Sequence, residues 1–269
     1  MQNRILARTR LLDKNGGKSL AVVIMIADPD IRTTFELVEL ALEEGVDVFE
    51  IGIPISEPVL DSDVMHDSMN RALDFTADYN VYLKTLKELR QSFPQAVFEV
   101  MIYHKTVMEI GFEKFCAALI DAQMDCVLVA DAVFIGEEFL QSLDHQLLPH
   151  EIYPIRFVPS PFNPNQIEDL KQNAHGFIVV QTIKDAEGRR DTVLKANQQT
   201  LSEIRKAGTQ IPLVLAYGIR TPDDVHSCLA LGADGVLIGT VLLDAAYRLP
   251  RAEYRALLRD LRIAAKPER

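Results

Sequence analysis

Two carboxylates eleven residues apart, Glu50 and Asp61, are the residues of this chain best placed to do chemistry. Glu50 lies inside the apolar stretch 46–51, and Asp61 follows a loop punctuated by Pro54 and Pro58. A charge within a buried strand is costly unless a partner or a reaction uses it. Two acidic groups, one at a strand end and one in the next loop, suit proton transfer: one moves the proton, the other balances charge. The plainer alternative is a half-exposed strand whose glutamate faces water.

A second set of residues suits a phosphate. Gly218 follows the apolar stretch 212–217, and Gly239-Thr240 follows 235–238. Glycine backbone N–H groups and a helix N-terminus together bind phosphate well. Gly188, next to Arg189, is placed to close over the same group. Each glycine alone reads as ordinary turn chemistry; it is their joint position after two consecutive strands that points to a phosphate.

The elements that must hold these residues alternate along the whole chain. Apolar runs at 20–26, 46–51, 96–103, 126–131, 153–158, 176–181, 212–217 and 235–238 read as strands. Helical patterns follow at 31–44, 62–93, 112–122, 136–147, 165–172, 196–207, 222–231 and 241–248, with a closing helix at 251–264. Eight apolar strands, each followed by a helix, predict a parallel (β/α)8 TIM barrel. The expectation is one domain over residues 1–269, with an extra N-terminal helix at 2–13 covering the bottom. A doubly wound open sheet would use fewer strands. In a barrel the chemistry collects at the C-terminal strand ends, here Asp28, Glu50, Tyr103, Asp131, Gln181, Gly218 and Gly239.

Composition narrows the classes. The 269 residues are 48% hydrophobic and carry a net charge of -11. That field disfavours nucleic acid or an anionic membrane as partner. Arg189-Arg190 is the one dense basic cluster, too short for a nucleic-acid patch. Cys116, Cys126 and Cys228 have no metal-ligand spacing and read as reduced thiols of a cytoplasmic protein. The N-terminus has no apolar signal region and no run is long enough to span a bilayer.

The chain resembles the α subunit of tryptophan synthase over nearly its whole length. The residues that carry the resemblance are Asp28-Pro29, Glu50-Ile51-Gly52-Ile53-Pro54, Ser56-Glu57-Pro58, Asp61, Leu128-Val129-Ala130-Asp131, Gly176-Phe177, Tyr217-Gly218-Ile219 and Gly235 with Ile238-Gly239-Thr240. The closing glycines are shared by many phosphate-binding barrels; the Glu50–Pro54 run with Asp61 at this spacing is more specific. The resemblance implies a lyase of tryptophan biosynthesis that cleaves indole-3-glycerol phosphate to indole and glyceraldehyde 3-phosphate. It implies Glu50 as mobile acid/base and Asp61 as stabiliser of the protonated indole nitrogen. It places the phosphate at Gly188, Gly218, Gly239 and Thr240, and the ring in a slot of Val23, Met101, Tyr103, Leu128, Ala130, Phe157 and Val179. The retro-aldol chemistry needs no metal or organic cofactor. The expected partners are the phosphorylated small-molecule substrate and, by the resemblance, a β-type subunit.

The chain departs from the family at several positions. Where the family reads Pro-Leu-Ala-Asp-Gly-Pro, this chain has Pro58-Val59-Leu60-Asp61-Ser62-Asp63. Val179 stands where the family has a Tyr whose hydroxyl meets the catalytic Glu, Val23 where it has a Phe, and Lys105 where an Asn is usual. Glu187 replaces a Thr that closes onto the aspartate, so two carboxylates would approach each other and repel. Altered Glu57, Val59, Ser62 and Asp63 disfavour a standard β-subunit interface. Two other readings therefore stay open: a paralogue acting on another glycerol-phosphate-type substrate, and a weakly active regulatory partner of a β-type subunit.

The remaining polar residues divide by phase. Glu99 alternates with Met101 and points into the barrel, either as partner of a buried cation or as part of the site. Arg156 is out of phase with Phe157 and belongs behind the barrel; Gln181, in phase with Val179, belongs with the site. His104 and Lys105 fall at the rim, and His66 reads as a solvated helix residue.

Overall fold

The computed structural model describes residues 3–59, 61–182 and 190–266. A helix, α1 (Arg4–Lys14), precedes the barrel. Then come β1 (Ser19–Met25), α2 (Ile31–Glu43), β2 (Val48–Gly52), α3 (Asp63–Phe75), α4 (Tyr79–Ser92) and β3 (Phe98–Ile102). The middle holds α5 (His104–Ile110), α6 (Phe112–Asp121), β4 (Cys126–Val129), α7 (Ala132–Ile135), α8 (Glu137–Leu147), β5 (Tyr153–Pro154) and β6 (Arg156–Val158). The last part holds α9 (Ile167–Asn173), β7 (Ile178–Gln181), α10 (Arg190–Lys206), β8 (Leu213–Ala216), α11 (Pro222–Ala230), β9 (Gly235–Ile238), α12 (Thr240–Arg248) and α13 (Arg251–Ala264).

All pairings are parallel, in the order β5-β4-β3-β2-β1-β9-β8-β7-β6. The two ends of this sheet, β5 and β6, are consecutive pieces of one stave broken at Ile155. One piece pairs with β4 and the other with β7, which brings the sheet round into a TIM barrel. The stretch 153–158, expected as one strand, is thus the seam of the barrel.

Alternate residues of each strand separate two apolar layers. Ala21, Val23, Met101, Cys126, Leu128, Phe157, Val179 and Val214 fill the interior. Val22, Ile24, Phe49, Ile51, Phe98 and Val100 face the helices, where they meet Leu37, Val38, Leu86 and Leu258. Because both faces are covered, the strands read as continuous apolar runs.

The expected helix over 62–93 is two helices. Thr76 ends α3 with extended backbone and Asp78 caps α4. The hydroxyl of Tyr82 on α4 donates to the carbonyls of Ala72 and Thr76 at 2.8 and 2.5 Å, which fixes the break. α5 and α7 are short helices absent from the periodicity reading.

Polar groups at the bottom are tied off by arginines. Asp47 receives Arg8 and Arg262 and accepts from the Leu20 N–H at 2.8 Å. Asp125 receives Arg90 at 2.6 Å and Arg4 at 3.0 Å. These pairs fasten α1 and α13 to the strand starts. Arg156 lies behind the barrel, paired with Asp144 and Asp169. Among the described residues no helix is long and apolar enough to cross a membrane.

Candidate active site

Register brings the acidic residues to one end. Glu50 on β2 stands beside Val23 of β1 and Glu99 of β3. In-register neighbours on parallel strands project to the same face, so all three enter the barrel. Glu50 is buried, with 3% of its surface exposed, yet it lines a cavity of about 380 Å3 at the C-terminal strand ends. Burial first, and then the charge of Asp61, push the Glu50 carboxyl up to about 8; the Glu99 contact acts in the opposite direction. Glu50 is therefore mostly the neutral acid near pH 7.

Asp61 reaches the same cavity from the loop after β2. Its Oδ2 accepts a 2.7 Å hydrogen bond from the Tyr103 hydroxyl at the end of β3. Burial raises its carboxyl above the ordinary range, opposed by the Tyr103 hydrogen bond and by His66. His66 is exposed on α3, its Nε2 3.1 Å from the Ser56 carbonyl. Ser62 caps α3 and shares a 3.1 Å hydrogen bond with the Thr240 hydroxyl, so the Asp61 loop is joined to the start of α12.

That helix start lines the same cavity. Gly239 precedes α12 and Thr240 is its first residue; both line the cavity, with Gly218 and Arg220 beside them. Gly218 has a φ of 74°, left-handed backbone that glycine adopts without strain. A Cβ on Gly239 would stand 2.9 Å from Val23 Cγ2, so only glycine leaves both residues in place. Backbone N–H groups, a helix N-terminus and two hydroxyls are suitable donors for a phosphate. The expected contributor Gly188, like Glu187, lies outside the described residues.

Apolar side chains supply much of the remaining lining. Val23, Met101, Leu128, Ala130 and Val179 of the expected slot line the cavity. Tyr103 and Phe157 do not line it directly. Tyr103 acts through Asp61, while Phe157 is buried against the Tyr217 ring, centroids 6.0 Å apart. Tyr217 itself lines the cavity, with Met65, Ile219 and Leu237. The sequence named Tyr217 and Ile219 within the family motif but assigned none of these four to the site. The signal available for Tyr217 was its place next to Gly218; its φ of 75° became visible only in the structure.

Other strand-end residues serve the scaffold or the cavity rim. Asp28 is paired with Arg71 at 2.7 Å and accepts from Ser68. Asp131 accepts from the His104 N–H at 2.8 Å. The His104 ring packs edge-on to Phe139, and Lys105 is exposed on α5. Gln181 lines the cavity and accepts from the Ser160 N–H at 2.9 Å. Thr182, another cavity residue, donates to the Tyr217 carbonyl at 2.5 Å.

The tryptophan synthase alpha chain family model matches residues 10–265. This chain belongs to that family. Its curated relatives include the tryptophan synthase alpha chain of Chloroflexus aggregans, 29% identical over 251 residues, covering 93% of this chain and 92% of that one. The alpha chain of Methanoregula boonei is 26% identical over 229 residues, 85% of this chain and 84% of the relative. The fold is shared with the solved tryptophan synthase alpha chain from Legionella pneumophila, TM-score 0.85, 23% identity and 98% coverage of both chains. It is shared equally with a Mycobacterium tuberculosis tryptophan synthase chain, TM-score 0.86, 20% identity and 100% coverage of both. Membership in the tryptophan synthase alpha chain family places the protein among the lyases of tryptophan biosynthesis.

Proposed function

We propose that this protein cleaves indole-3-glycerol phosphate to indole and glyceraldehyde 3-phosphate, with Glu50 as acid/base and Asp61 as the balancing charge. The observation that carries the reading is one cavity lined by two carboxyls, by apolar side chains and by Gly218, Gly239 and Thr240. An apolar ring fits between Val23, Met101, Leu128, Ala130 and Val179, and a phosphate fits beside Gly218, Gly239 and Thr240.

The protonation states suit the reaction. Glu50, mostly the acid near pH 7, gives its proton to the ring carbon that carries the side chain. Positive charge then sits on the ring nitrogen, facing the Asp61 carboxylate. As carboxylate, Glu50 takes the proton of the side-chain hydroxyl next to that carbon. The carbon–carbon bond breaks, its electron pair returns to the ring, and an aldehyde is left. Glu50 ends protonated, as it began, so one carboxyl serves as acid and then as base.

A β-type subunit is the proposed partner. Met108 and Phe134 are exposed at 55% and 61%, in segments that follow the adjacent strands β3 and β4. Apolar side chains grouped at one rim suit a protein contact.

The deciding experiment incubates purified protein with indole-3-glycerol phosphate and measures indole. Indole release by the wild type and its loss in Glu50→Gln are expected. No release from folded wild-type protein that still binds glyceraldehyde 3-phosphate would replace this substrate with another.

A further inference from the structure

Glu99 has no exposed surface, and it stands in register between Glu50 of β2 and Cys126 of β4. Among the described residues neither Glu99 oxygen has a hydrogen-bond partner, and Glu50 Oε2 has none. The two carboxyls are close enough to act on each other as hydrogen-bond partners, Glu99 lowering the Glu50 titration and Glu50 raising that of Glu99. Among the described residues no cation makes Glu99 half of a buried salt bridge. Arg90, the guanidinium that acts on Cys126, is engaged with Asp125 at 2.6 Å and lies over the Phe98 ring.

Among the described residues, the titratable groups that act on the pair are acids. Glu50 faces Glu99 from β2 and Cys126 faces it from β4; Asp61 acts on Glu50 from the cavity side, where Glu50 in turn acts on Tyr217. β1 and β7 present apolar Ala21, Val23, Met25 and Val179 to the interior. A buried carboxylate without a cation or a donor is strongly disfavoured. Burial first, and then the charge of Glu50, hold Glu99 well above the usual carboxylate range. Burial does the same to the Cys126 thiol, which leaves it neutral. Glu99 thus carries a proton, and the acceptor facing it is Glu50.

We propose that Glu99 is a positioning residue, an acid at the barrel floor that donates a hydrogen bond to the Glu50 carboxylate when Glu50 has given up its proton. Val179, which lines the cavity, offers no hydroxyl for that purpose. The donor comes from the neighbouring strand instead. Glu99 itself touches no substrate, since it does not line the cavity. The proposal rests on the reading of Glu50 as the acid/base.

NMR on protein carrying carboxyl-labelled glutamate tests it without substrate, the two resonances assigned by their loss in Glu50→Gln and Glu99→Gln. In wild type the Glu99 signal is expected at the protonated position through neutral pH. Glu99→Gln keeps a donor and is expected to leave the Glu50 titration in place. Glu99→Leu removes the donor and is expected to move that titration upward. It should also lower kcat about tenfold, as for one lost hydrogen bond to a charged group, with KM unchanged. An ionised Glu99 at neutral pH, or a downward move of the Glu50 titration in Glu99→Gln, overturns the proposal; the wild-type spectrum alone decides if Glu99→Leu does not fold. Indole release absent throughout, with the Glu50 titration responding as stated, upholds the pair and removes the substrate reading alone.

Discussion

The Tyr103 hydroxyl donates a 2.7 Å hydrogen bond to Asp61 Oδ2, joining the end of β3 to the loop after β2. This bond favours the charged form of a carboxylate that burial otherwise disfavours. Tyr103→Phe is expected to raise the Asp61 titration, so the acid limb of kcat/KM moves to higher pH. Asp61→Asn removes the charge beside the ring nitrogen and should lower kcat by about a hundredfold or more. Steady-state pH profiles of the two variants check both; an unmoved acid limb in Tyr103→Phe separates the bond from catalysis.

Glu50→Gln should lower turnover by about two to four orders of magnitude, as for loss of a positioned acid/base. In wild type the rate should fall as pH rises through about 8, where Glu50 loses the proton it must first donate. A pH profile of single-turnover indole release reads this limb directly. A flat profile through that range removes Glu50 as the initial acid.

The same residue should cost stability. The Glu50 carboxyl, which titrates at 4.5 when unperturbed, is held at about 8 in the fold. Between those values the folded chain holds a proton that the unfolded chain has released. Stability therefore falls as pH rises from about 4.5 to about 8 and levels off above. Glu50→Gln has no such charge to bury and should be more stable than wild type above pH 8, by up to about 5 kcal/mol. Denaturant titrations at acidic and alkaline pH measure the difference, which should shrink toward acid.

In the same cavity, Gly239→Asp should raise KM by about a hundredfold or more. A carboxylate about 4 Å from a phosphate charge costs about 4 kcal/mol at the effective dielectric of a protein surface. The added Cβ also meets Val23 Cγ2 at 2.9 Å. Gly239→Ala separates the two effects, since it keeps the crowding and lacks the charge. Thr240→Val loses one hydroxyl donor and its bond to Ser62, and should weaken phosphate binding about tenfold. Calorimetry with glyceraldehyde 3-phosphate measures all three.

Val179 and Glu187 predict slow catalysis, below the enzyme median of about 10 per second. Val179→Tyr should speed indole release if a missing hydroxyl limits proton transfer. Glu187→Thr should do so if carboxylate repulsion against Asp61 limits closure. Wild-type turnover at or above that median would show that neither departure matters.

The sequence by itself determined the barrel, because eight buried parallel strands must be apolar on both faces and so announce themselves as runs. It also marked Glu50 and Asp61, since a carboxylate within such a run is costly, and it marked Gly218 and Gly239 by their place after consecutive strands. It could not place the seam at Ile155, the Tyr82 contacts that divide α3 from α4, or the capture of Asp28 by Arg71 and Ser68. Nor could it settle Glu99, which alternation aimed into the barrel without saying what it would meet. That depended on strand register: Glu99 falls beside Glu50, and its interior layer offers acids and apolar groups instead of a cation. Periodicity fixes which way a side chain points. Which chemical groups then surround it, and so whether it is charged, is decided by residues distant in the chain that only the tertiary structure brings together.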